Sequence, residues 1–203
     1  MMPEISFRCS YWLQSEIIGN RGDFDALERF TEEFGRYFQG YSADVLKWIE
    51  KYTGFGWPEG LSSINVWIFD GYQPSVSYPL LLNCHSFDKM MTLHALVHEL
   101  AHVLTFPILE VAHPSPHFVA REMEAIAEIV AKKVSIRIFG AEAVQRMYEK
   151  DVVAGTAYKF VLDRMKNLES KWDLEKMPLS KWFGGNKIYR VRNYVQVDKA
   201  EDT

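Results

Sequence analysis

The chain has 203 residues, 48% of them hydrophobic and 25% charged, with a formal net charge of −4. Such a chain suits one globular domain that buries roughly 70% of its unfolded surface, and its acidic balance offers no basic footprint for a phosphate backbone, which excludes nucleic acid as a first partner. The opening residues carry no apolar run of signal-peptide length and no segment approaches about 18 consecutive apolar residues, so the expectation is a cytoplasmic protein with no membrane partner.

Taken in chain order, "DFDALERFTEEFGRYFQ" spaces Phe24, Leu27, Phe30, Phe34 and Phe38 along one helical face, predicting a helix over 23–39. A short helix is expected over 42–52 with Ser42 as its N-cap. "TGFGWPEG" reads as a Gly/Pro loop. In "SINVWIFD", Ile64, Val66 and Ile68 alternate with Asn65, Trp67 and Phe69, the pattern of a strand. After a turn at "GYQPS", "SYPLLLNCH" is a second apolar strand and runs into a helix over about 87–105 that Pro107 helps to end.

"ILEVAHPSPH" then connects to a long helix over about 117–139, followed by one or two helices within 141–171, broken near Gly155. "NKIYRVRNYVQV" alternates again as a terminal strand. The expected fold class is α+β: a helix-rich single domain with a small early β-sheet packed on the helix over 87–105. Its core spans about 62–139, its N-terminal helices 23–52, and its C-terminal helices and strand 141–197. Cys9 and Cys84 lack metal or redox spacing and read as free thiols.

The helix over 87–105 carries the chemistry. His98, Glu99 and His102 form "HELAH", and between Lys89 and Glu110 the sole Asp, Glu, Lys or Arg is Glu99. A lone carboxylate among apolar neighbours is expensive to bury unless something compensates it. Residues four apart on a helix sit one turn above each other, about 6 Å along the axis, so two imidazoles at that spacing reach one ion at about 2.1 Å. The intervening glutamate then faces the water that such an ion activates and can take its proton. His94 lies too far from His102, about 12 Å along the axis, to share the ion, and is expected buried and hydrogen-bonded, with an outer-shell role as the lesser reading.

A zinc peptidase needs a third protein ligand and an open fourth position. The long helix offers Glu122, Glu124 and Glu128. At about 100° per residue, Glu124 borders a stripe of Ala120, Ala127 and Ala131, with Glu128 and His117 close by. Glu122 points roughly 160° away and is expected solvated. Glu124 is the favoured ligand, with His113, His117 and Glu122 as alternatives.

HExxH followed by "EAIAE" resembles the gluzincins, the thermolysin-like zinc peptidases and their ImmA/IrrE-type relatives, over about 78–133. The resemblance implies a zincin-like core binding one Zn²⁺ per chain. It makes His98, His102 and Glu124 the ligands, Glu99 the general base, and Glu128 the carboxylate that orients His98. It further implies peptide-bond hydrolysis of a peptide or protein substrate, with "PLLLNC" as a sheet-edge strand that pairs with it. Such enzymes also use a Tyr or His to stabilise the oxyanion; Tyr148, Tyr158 and Tyr189 are the candidates, with His113 or His117 possible from the connector.

Two other readings remain open. "HPSPHF" is similar to the segment in SprT-like proteases that supplies a third histidine ligand, which would put His113 or His117 in place of Glu124. Alternatively, zinc ties the two central helices together in a non-catalytic interaction protein with a zincin-like fold. The oligomeric state is not legible in the sequence.

Overall fold

The computed structural model describes residues 2–20, 22–111, 115–152, 159–184 and 189–191, and its first element is a strand that sequence patterning missed. Strand β1 (Glu4–Arg8) pairs in parallel with β2 (Ser63–Phe69), bringing Ile5 opposite Ile64 and Phe7 opposite Val66. β2 in turn pairs in parallel with β4 (Leu80–Asn83), and the two-residue β3 (Val76–Ser77) pairs antiparallel with β4. The sheet order is β1-β2-β4-β3, so "PLLLNC" lies inside the sheet and β3 forms the edge expected of it. Local alternation marks a strand but carries no information about its neighbours.

Helix α1 (Phe24–Gln39) buries Leu27, Phe30, Phe34 and Phe38, and Asp23 caps it by accepting the Ala26 N–H. The second helix, α2 (Ser42–Thr53), starts differently from its prediction. Tyr41 is its N-cap, and the Ser42 hydroxyl instead donates back to the Gln39 carbonyl at 3.3 Å. Only Gly40 and Tyr41 separate the two helices. Gly54 closes α2 at φ 70°, where a Cβ would meet Ser180 Oγ at 2.1 Å, so this turn needs glycine on two counts.

Helix α3 (Lys89–Thr105) begins two residues later than predicted because His85, Ser86 and Phe87 hold φ values of 45°, 55° and 66°. Left-handed residues cannot continue into a right-handed helix, and Asp88 then accepts the Met90 and Met91 N–H groups as the cap. After β5 (Leu109–Val111) come α4 (Pro116–Phe139), α5 (Ala141–Val152), α6 (Lys159–Glu169), α7 (Leu179–Gly184) and β6 (Tyr189–Val191). β5, inside the expected connector, pairs antiparallel with β6. Gly155 and the chain after Val191 lie outside the described residues.

Among the described residues the protein is thus a helix-rich α+β chain with a four-stranded mixed sheet and a separate two-stranded one. Its core joins Phe34 and Phe38 of α1, Ile49 of α2, Val66 and Ile68 of β2, Leu96 and Leu100 of α3, and Ile126 and Val130 of α4. Each such side chain contributes about 1.5–3 kcal/mol on burial. β3 and β4 pack on α3, and α3 lies along α4. Among the described residues no helix is long and apolar enough to cross a membrane.

Candidate metal centre

α3 and α4 pack closely against each other, and Ala101 on α3 and Ala127 and Ala131 on α4 are fully buried. That close approach brings "HELAH" against the carboxylates of α4. His98 Nε2 lies 3.1 Å from His102 Nε2 and 3.1 Å from Glu124 Oε2, and His102 Nε2 lies 3.4 Å from Glu124 Oε1. Ligands held about 2.0–2.2 Å from a tetrahedral ion are separated by about 3.3–3.6 Å. Each pairwise distance is within a few tenths of an ångström of that spacing, with the carboxylate meeting the two histidines through different oxygens. His98, His102 and Glu124 therefore form a group, two nitrogens and one carboxylate, that could hold a metal ion.

The group is buried on its histidine side and open on its carboxylate side: the His102 side chain is 3% exposed and that of Glu124 46%. It opens onto a cavity of about 1080 Å³. Met91, Ala95 and Met147 are apolar lining, while Asn20, Asp70 and Gln73 contribute polar lining. Beside His102 sits an aromatic ledge, with the Phe106 ring 5.3 Å from the imidazole and Tyr78 6.4 Å beyond; both aromatics are exposed.

Glu99 is buried next to the group without belonging to it. The Ser77 hydroxyl, on edge strand β3, donates to Glu99 Oε2 at 2.6 Å. Glu128 stands behind His98, its Oε2 accepting from Nδ1 at 2.8 Å. His94 is also engaged there, with Nε2 3.1 Å from Glu128 Oε1 and Nδ1 2.9 Å from Ser135 Oγ. The His102 Nδ1 is buried with no hydrogen-bond partner among the described residues.

Electrostatics follow from this packing. Burial disfavours the charged His98 ring, but hydrogen bonds to Glu124 and Glu128 outweigh it and raise its pKa to about 10 in the metal-free site. For Glu124, burial is opposed by hydrogen bonds from His102 and His98, which hold it well below the usual carboxylate range. Burial of Glu128 is likewise overcome, by the charge and hydrogen bonds of His94 and His98.

Other expected site residues fall elsewhere. Glu122 is not solvated: it is fully buried and ion-paired with Arg164 of α6, which covers that face of α4. His117 is exposed in the first turn of α4, about 10 Å along the axis from Glu124, and is not part of the group. The Tyr148 hydroxyl donates to Glu128 Oε1, the oxygen that does not face His98. His113 and Tyr158 lie outside the described residues, and for Tyr189 the description extends only to its backbone in β6. Ser77 was missed because "SVSYP" carries no motif; β3 brings it to Glu99 only through the fold.

No family model, curated protein or solved structure matches this chain.

Proposed function

We propose that the chain is a zinc-dependent peptidase with a gluzincin-type site on a zincin-like core, in which His98, His102 and Glu124 hold one zinc ion and Glu99 is the general base. The observation that carries this reading is the separation of roles within "HELAH": two histidines join Glu124 at tetrahedral ligand spacing, while Glu99 stays outside the group. A site that merely ties helices together has no use for an extra buried carboxylate beside its ligands. Glu124 is half exposed on a large cavity, which leaves room for an open coordination position and a substrate.

Zinc bound there would supply Lewis acidity, polarising a carbonyl and lowering the pKa of water. The chain's own residues do the rest. Ser77 fixes one oxygen of Glu99, so the other is the one that takes a proton from the attacking water and returns it to the departing amine. β3 has β4 on one side, and its other edge suits the addition of an extended peptide as a further strand. Tyr78 and Phe106 offer that peptide an exposed aromatic contact.

Glu99→Gln tests the reading on a mixture of synthetic peptides, with cleavage followed by mass spectrometry. The variant should keep about one zinc per chain and lose about 10²–10⁴-fold in turnover, the range supplied by a positioned general base. Full hydrolysis by Glu99→Gln overturns the assignment of the base. A wild type that takes up no zinc on dialysis overturns the whole reading.

A further inference from the structure

Glu128 is shared between two histidines of α3. One oxygen accepts from His98 Nδ1 at 2.8 Å; the other lies 3.1 Å from His94 Nε2 and also accepts the Tyr148 hydroxyl. Its side chain is 1% exposed, so protein groups, rather than bulk water, satisfy these oxygens. We propose that Tyr148 and His94 are positioning residues of the metal centre: they lock Glu128, which in turn fixes the ring of His98. The proposal rests on the zinc reading above and extends it to α5, an element without a ligand.

Three contacts carry it. The Ser135 hydroxyl sits 2.9 Å from His94 Nδ1 and so holds the ring with Nε2 facing Glu128. The Tyr148 ring stands edge-on to the His94 ring, with centroids 5.5 Å apart and planes at 82°, so the two donors to Glu128 brace one another. The Tyr148 hydroxyl also lies 3.4 Å from His94 Nε2, which closes a triangle on one carboxylate oxygen. With that oxygen held, Glu128 cannot rotate about its terminal bond, and the oxygen facing His98 stays in the plane its Nδ1–H requires. Carboxylate–histidine pairs of this kind set ligand orientation and basicity. Met147, next to Tyr148 on α5, lines the cavity, so the same helix touches both the substrate space and the brace.

The test is zinc affinity of the full chain, measured by competition with a chromophoric chelator. Removing the carboxylate in Glu128→Ala should weaken zinc about 10–100-fold. Tyr148→Phe keeps the ring and loses one hydroxyl, and should weaken zinc about three- to tenfold, at the low end of outer-shell effects. In the Glu128→Ala background, Tyr148→Phe should cause no further loss, because the group through which it acts is gone. His94→Gln, whose amide keeps a donor toward Glu128, should retain more affinity than His94→Ala; this pair also serves if a Tyr148 variant fails to fold. Cobalt-loaded Tyr148→Phe should show a shifted visible band, reporting a moved ligand. Unchanged affinity in Tyr148→Phe, an equal loss with and without Glu128, or equal affinities for His94→Gln and His94→Ala overturns the proposal. A wild type without zinc instead overturns the zinc reading, and the brace with it.

Discussion

The two faces of α4 bury a carboxylate in two different ways. Toward α6, Glu122 is 0% exposed and pairs with Arg164, whose guanidinium also lies over the Phe118 ring at 5.6 Å. Toward α3, Glu128 is 1% exposed and meets two imidazoles and a phenol. Arginine is always charged, so the first face is electrically complete and closed. Imidazole is charged only when protonated, so the second face, with Glu124 added, is left with an anionic excess that a proton or a divalent ion must answer. Similar burial of the same residue type yields an ion pair on one side of a helix and, on the other, a carboxylate behind a group that could hold a metal ion.

The largest effect that would break this contrast is expected on the α3 side. On the zinc reading proposed above, Glu124→Ala removes one of three protein ligands, and structural zinc sites bind with about 10–16 kcal/mol in all, or about 3–5 kcal/mol per ligand over three. Zinc should weaken more than about a hundredfold, read by chelator competition. Unchanged affinity would place the third ligand elsewhere.

On the α6 side, Glu122→Ala removes the carboxylate that Arg164 pairs with and should cost about 3 kcal/mol, the low end for a buried pair because Arg164 is 26% exposed. In a chain of this size that is a fall of about 6–12 °C in Tm. Zinc stoichiometry of the folded variant should stay at wild type. Glu122→Met with Arg164→Met should recover most of the loss, because an apolar pair of similar volume carries no unpaired charge. A drop in zinc binding with Glu122→Ala, at equal foldedness, would erase the distinction between the faces.

The smallest effect sharpens it through pH. His98 has a folded-state pKa of about 10 against an ordinary 6.5, so its charged ring stabilises the metal-free protein fully below pH 6.5. That contribution fades as pH rises toward 10. Glu124 and Glu128 are lowered from 4.5, so their contribution is present above that pH and lost as pH falls. Metal-free protein should therefore be most stable between about pH 4.5 and 6.5 and lose a few degrees of Tm between pH 7 and 9. Zinc-loaded protein should lack the alkaline loss, since the ion replaces the proton. Equal alkaline slopes with and without zinc would mean that the metal does not occupy this cluster.

How much of this was legible in sequence follows from which forces are local. The Phe30, Phe34 and Phe38 stripe announced α1 because a 3.6-residue period needs no knowledge of the partner. The "HELAH" spacing and the angular separation of Glu124 from Glu122 were readable for the same reason. What covers Glu122 was not, since helical periodicity states which way a side chain points and not what stands there. Solvent was expected, and Arg164 occupies the place. β1 was invisible because "EISFR" is short and half-buried, and its pairing with β2 spans most of the first third of the chain.

The sequence by itself determined that two histidines and a glutamate share one helical stretch, that Glu124 leads the carboxylates of the next long helix as a candidate third ligand, and that the chain is helix-rich with early strands. Those are consequences of backbone geometry acting over a few residues. Tertiary structure alone decided the 3.1–3.4 Å closure of the group, the bond from Ser77 to Glu99, and the burial of Glu122 against Arg164. It also decided the gathering of His94, Tyr148 and His98 on Glu128. Each of these depends on how close two helices or a strand and a helix approach, a distance set by side chains far apart in the chain and packed together in the core.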